Sequence, residues 1–229
     1  AIGYGFARLI GSSIEKTIEQ EKAIAQLEAA MKSTGNVTGF TSQQFQTMAA
    51  ELQNLSTYGD EAVISTQGLM LTFTNIGREV FPRAQQSVLD MSTAMRQDLK
   101  SSAIQVGKAL NDPIKGLSAL SRVGVAFTNE QKEVIKSLVE TGEVAQAQML
   151  ILDELEKEFK GSASAARNTL GGALDSLNNA FGDLLESKNV QGTTAAINDL
   201  TKKLQDPATQ QAFSSLSTAL IKIAGGAAY

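Results

Sequence analysis

VGKALNDPIKGLSALSRVGVAFT, residues 106–128, interrupts a chain that otherwise reads as one helix after another. Asp112 is a helix-capping residue type, and Pro113 suits a first helical position, where its missing N–H costs nothing. Ile114, Leu117 and Leu120 follow at helical spacing and are expected to face inward; Gly124 then stops the short helix. Phe127-Thr128-Asn129-Glu130-Gln131 opens the next one. Thr128 can cap the amide of Gln131, whose side chain reaches back to it. The stretch reads as a corner at which the chain folds back, and its chemistry offers neither a reaction nor a ligand.

The same local chemistry recurs upstream. In Phe40-Thr41-Ser42-Gln43-Gln44-Phe45, Thr41 and Gln44 form a capping box and the two phenylalanines occupy the positions of a hydrophobic staple. Phe45, Met48, Ala49, Leu52 and Leu55 then supply a buried stripe that Tyr58-Gly59 ends. Before it, Ile10, Ile14, Ile18, Ile24, Leu27 and Met31 mark one face of a long first helix, with Glu28–Lys32 as a solvated pair and Gly35 as the stop. Asp60 begins a helix through Val63, Ile64, Met70 and Leu71, in which Gly68 is a weak point or a close contact. Leu71-Thr72-Phe73-Thr74 alternates like a strand but is short, and reads better as a helix end or loop.

Phe81-Pro82 restarts the chain, with Val88, Met91, Met95 and Leu99 as its inner face. Beyond the corner, Val134, Ile135, Leu138 and Val139 lead to a turn at Thr141-Gly142. Val144, Ile151, Leu155 and Phe159 follow, with Asp153–Lys157 and Glu156–Lys160 as surface pairs and Gly161 as the stop. Leu170, Leu174, Leu177, Phe181 and Leu184 step by alternating fours and threes, a coiled-coil-like seam. Phe213, Leu216, Leu220 and Ile223 form a second seam in a last helix opened by Asp206-Pro207.

The fold class is therefore all-α, with about eight to ten helices, short corners and coiled-coil-like seams. Three segments are expected: an N-terminal amphipathic helix over residues 1–35, a compact helical module over 36–188, and a C-terminal helical pair over 189–229. The start lacks an initiator Met and the end is an apolar turn, so both ends read as interruptions of something longer. Hydrophobic residues make up 42% of the 229, much of it alanine, which predicts a thin helical core. The net charge of −4, with both signs interspersed, gives no basic footprint for sequence-specific nucleic acid binding.

Histidine, cysteine and tryptophan are all absent. The commonest general base, the commonest transition-metal ligands and disulfides are thereby removed together. Paired carboxylates remain, and the best candidate is Glu61, upstream of Gly68-Leu69-Met70, a faint likeness to lytic transglycosylases. That family has Gln where this chain has Leu71, and its glutamate lies farther upstream and is followed by Ser. The plainer reading puts Glu61 in a helix first turn and residues 69–71 in the core. Gly171-Gly172 lacks the partners of a phosphate loop, and Asp153-Glu154-Glu156-Glu158 lacks calcium-loop spacing and reads as a solvated face. No catalytic, cofactor or metal residue is assigned.

Asp90-Met91-Ser92-Thr93-Ala94-Met95, then Leu99 through Gly107-Lys108-Ala109-Leu110-Asn111-Asp112-Pro113, resembles the tail length tape measure proteins of long-tailed, siphovirus-type bacteriophages and prophages. The likeness continues through Gly116-Leu117-Ser118-Ala119-Leu120, Gly124-Val125-Ala126-Phe127-Thr128, Gln131-Lys132, Gln148-Met149-Leu150-Ile151-Leu152-Asp153-Glu154-Leu155 and Gly171-Gly172-Ala173-Leu174. It reaches back to Thr66-Gln67-Gly68-Leu69 and Phe81-Pro82-Arg83-Ala84, and so spans about residues 60–185. It implies a structural virion protein inside the tail tube or at the tail tip, present in the bacterial host cytoplasm during assembly, whose length sets tail length. Implied partners are tail tip or baseplate hub proteins, the tail tube protein, tail assembly chaperones and other copies of itself. A role in DNA ejection, with host membrane contact by parts outside this segment, is also implied.

A helical ruler gains about 1.5 Å per residue and needs long uninterrupted helices. The corners at Gly35, Gly59, Pro82, Pro113, Gly124, Gly161 and Pro207 instead predict a folded module. Two other readings fit the residues: a generic helical oligomerisation domain using the two seams, and a muralytic module using Glu61.

Overall fold

Among the described residues the computed structural model has nine helices, short except the first: α1 (Ile2–Thr34), α2 (Ser42–Leu55), α3 (Asp60–Met70), α4 (Phe81–Met95), α5 (Leu99–Asn111), α6 (Leu117–Ser121), α7 (Asn129–Glu140), α8 (Val144–Phe159) and α9 (Ser162–Arg167). The structure describes residues 2–180 apart from 170, 177 and 178, with side chains from residue 18 onward. Among the described residues there is no strand. The chain separates into two compact units, residues 1–180 and 181–229. All nine helices belong to the first. The seam residues Leu170, Leu177, Phe181 and Leu184, and the whole last helix with Phe213–Ile223, lie outside the described residues; Leu174 is exposed.

Helices of 5 to 16 residues are marginal alone in water, so α2–α9 depend on packing and on satisfied ends. Helix α4 is the hub. Phe81, Ala84, Val88, Leu89 and Met91 are completely buried on it, and α5, α8 and α9 pack around it. Helix α3 packs on α1, α2 and α5, while α6 lies on α5 and α7 on α8. Gly68 is a close contact, not a weak point: a Cβ there would meet the Leu27 Cα at 3.3 Å, so the backbones of α1 and α3 touch. Leu27 is fully buried at that crossing.

Both capping boxes are present. Thr41 Oγ1 accepts from the Gln44 amide at 3.2 Å while Gln44 Oε1 accepts from the Thr41 amide at 3.0 Å. Thr128 and Gln131 repeat this at 3.2 and 2.7 Å. The Phe40–Phe45 staple closes edge to face at 5.5 Å between ring centroids, and Phe81 joins Phe45 at 5.3 Å. Arg78 covers the Phe40 ring at 4.2 Å and donates to the Gly39 carbonyl, sealing the entry to α2.

Several expectations are corrected. Leu55 and Met95 are exposed because each is the last residue of its helix, beyond the reach of the neighbour that covers the preceding turns. The helix through Met95 does not run on to Leu99: Arg96 turns left-handed (φ 52°), and Asp98 caps a new helix by accepting from the Ser101 amide at 2.8 Å. Glu28 accepts from the Ser42 hydroxyl at 3.0 Å, so it ties α1 to the start of α2. The helix expected from Pro113 begins only at Leu117, and Ile114 points outward.

Truncating Phe45, at the centre of the aromatic cluster, should cost about 3–5 kcal/mol, whereas exposed Leu55→Ala should stay within about 0.5 kcal/mol. Urea unfolding of the two variants beside the parent chain measures the contrast.

Candidate functional site

Three of the residues that carry the family likeness, Leu110, Asn111 and Gln148, meet at one junction. Helix α5 ends at Asn111; the carbonyl of Leu110, one residue before that end, is buried and has no partner within the helix. Gln148 on α8, almost completely buried, donates through Nε2 to the Leu110 carbonyl and the Asn75 carbonyl, both at 2.8 Å. Asn75, in the loop after α3, donates from its backbone amide to Asn111 Oδ1 (3.1 Å) and from Nδ2 to the Asn111 carbonyl (2.7 Å). One buried amide and one asparagine pair thus join three chain segments.

The glycines of the same block serve this packing. A Cβ at Gly107 would overlap the Phe73 ring, which lies against the α5 backbone there. A Cβ at Gly116 would overlap the carbonyl oxygens of Lys108 and the neighbouring Asp112. Asp112 holds the turn by accepting from the Lys115 amide on Oδ1 (3.0 Å) and from the Gly116 amide on its carbonyl (2.7 Å). Its capping role is therefore present, but it caps a turn that precedes α6.

Carboxylates tie the remaining helices together. Asp90, buried on α4, accepts from the Ala163 amide at 2.9 Å and so caps α9 from another helix. Arg83 on α4 donates to Asp153 and Glu156 of α8, both at 2.7 Å. Gln131 both closes its capping box and donates from Nε2 to Glu154 at 2.7 Å, fastening α7 to α8. The acidic run of α8 is thus mostly a set of fasteners, a correction to its reading as a solvated face. Lys160 does pair with Glu156, at 3.1 Å, but Lys157 pairs with Glu154 at 3.1 Å, leaving Asp153 to Arg83.

Glu61 lies in the first turn of α3, where the helix dipole favours a negative charge, beside a shallow groove lined by Glu19, Lys22, Gln26 and Ser65. Gly68 and Met70 of the step that followed it serve the α1 contact and the core. Among the described residues no group of three acidic, His or Cys side chains could hold a metal ion. No helix among them is long and apolar enough to cross a membrane. The corner at Arg96–Asp98 and the roles of Arg83 and Asp90 escaped the sequence reading. Asp98 followed three residues later by Ser101 was the available signal for the first; nothing local marks a partner 70 residues away for the others.

Substitution of Gly116 by Ala should cost about 1–3 kcal/mol, because backbone carbonyls cannot swing away. Gly107→Ala should cost less, and its loss combined with Phe73→Ala should be less than additive. Thermal unfolding of the single and double variants tests both. The second prediction concerns pH. Hydrogen bonds from Arg83 lower the Glu156 pKa, and those from Gln131 and then Lys157 lower that of Glu154. The folded state binds these protons less readily than the unfolded chain, so the stabilisation is complete above the ordinary glutamate value of about 4.3 and is lost as pH falls through the depressed folded values. Melting curves between neutral pH and about pH 3 should show this loss, and Glu156→Gln should flatten it.

The comparisons with known proteins agree with the likeness of the marker residues. A family model described as prophage tail length tape measure protein matches residues 15–136, more than half of the chain. The match begins inside α1, well before residue 60, and stops inside α7, short of the marker residues on α8. No curated protein and no solved structure matches the chain. The chain belongs to the prophage tail length tape measure protein family and is a component of the phage tail.

Proposed function

We propose that residues 36–188 form a folded module of the tape measure, flanked by helical segments over 1–35 and 189–229, and that the ruling length lies mainly outside it. The module acts by binding, not by catalysis, and its place is the tail tip, where it anchors the tape measure and takes part in DNA ejection. Its partners there are hub and tube proteins, with assembly chaperones engaged earlier in the host cytoplasm. The observation that supports this is the length of the helices. As one helix, residues 36–169 would span about 200 Å, at about 1.5 Å per residue. They are instead divided among eight helices, of which the longest has 16 residues, or about 24 Å. Such a segment contributes little contour and much surface.

Deleting residues 60–185 in the whole phage should abolish tail assembly or infectivity. Electron microscopy of the particles and plaque counts read the outcome. A viable phage whose tails are merely shortened in proportion to the deletion would overturn the module reading in favour of a shaft.

A further inference from the structure

The turn before α6 and the exposed side of α7 enclose a groove of about 500 Å³. Its apolar part is Ile114, 44% exposed in the turn between α5 and α6, set over the buried Pro113 and Leu117. Its charged part is Lys115, Arg122, Lys132 and Lys136, with Glu133 as the one acid in the lining. Among the described residues Lys115, Arg122 and Lys132 have no ion-pair partner, and Lys136 reaches Glu140 only at 4.0 Å. Four cations around one apolar groove stand out in a chain whose net charge is −4. Arg83, by contrast, is held between Asp153 and Glu156.

We propose that this groove docks an acidic amphipathic segment of another protein, with an apolar side chain on Ile114 and carboxylates on Lys115, Arg122, Lys132 and Lys136. Charge complementarity identifies the occupant: the unmatched cations steer and select a negative partner, while the apolar groove holds it. Nucleic acid fits less well, because the lining offers no aromatic face for a base and Glu133 would lie against phosphate. The volume is within the range of about 300–1,000 Å³ that ligand pockets occupy. The inference concerns this surface alone and holds wherever in the tail the module resides.

The test uses the full chain and a fluorescent synthetic helix with leucines along one face and glutamates on the others, followed by anisotropy. The probe should bind saturably and weaken as salt rises from about 50 to about 300 mM. Lys115→Gln/Arg122→Gln/Lys132→Gln, and separately Ile114→Ser, should weaken it roughly tenfold with an unchanged melting temperature. Glu133→Gln should tighten binding, a gain that no unfolded variant can mimic. Three results would overturn the proposal. The first is equal affinity for a peptide of the same composition with scattered leucines, or for the neutralised variants. The second is tighter binding of a duplex oligonucleotide that displaces the probe. The third is concentration-dependent self-association of the chain that the same substitutions abolish, which would make a second copy the occupant.

Discussion

The buried amide of Gln148 bears the constraint on which the first unit depends. Helix α5 is driven into the protein by Ala103, Val106, Ala109 and Leu110, all fully buried, so the Leu110 carbonyl near its carboxyl end lies where water cannot reach it. A buried carbonyl left unpaired costs more than a made hydrogen bond gains. Gln148 resolves this for Leu110 and, with the same nitrogen, for Asn75. Once α8 is fixed by that contact, Arg83 can reach Asp153 and Glu156, and Gln131 can reach Glu154. Arg83 and Gln131 thereby tie α4 and α7 to the helix that satisfies the end of α5.

This dependence explains why the core can be thin. Alanine and small residues bury little apolar surface, and each short helix loses conformational entropy when it orders. The structure compensates at helix ends. Thr41, Asp98 and Thr128 cap their own helices, and Asp90 caps α9 from outside. Gly68, Gly107 and Gly116 let backbones or rings approach until dispersion forces act over their full length.

What was legible in the sequence was local. Capping boxes, the stops at Gly35, Gly124, Gly142 and Gly161 and the Phe40–Phe45 staple are written in short local stretches and appear where their spacing placed them, whereas Gly59 proves to be the N-cap of α3 and not the stop of α2. The Arg96–Asp98 corner was hidden because a non-glycine residue takes the left-handed position while the apolar period runs on to Leu99. Asp153, Glu154 and Lys157 were misassigned for a related reason. Helical spacing offers Lys157 two acids and cannot show that Arg83, 70 residues away, has taken one of them. The marker block GKALNDP was recognisable as a family sign, yet its physical purpose needs Phe73, Asn75 and Gln148, none of which its spacing reveals.

The corner over residues 106–128 therefore has two faces with different logic. Its inner face is fully accounted for: Gly107, Leu110, Asn111, Asp112 and Gly116 each satisfy a neighbour that would otherwise be unpaired or excluded. Folding alone explains those residues. Its outer face is not explained by folding, because Ile114 loses nothing by being polar and Lys115, Arg122 and Lys132 stabilise no internal partner. An exposed isoleucine ringed by four basic side chains is an arrangement that stability does not require. Residues of that kind are the ones on which contact with another tail protein can act.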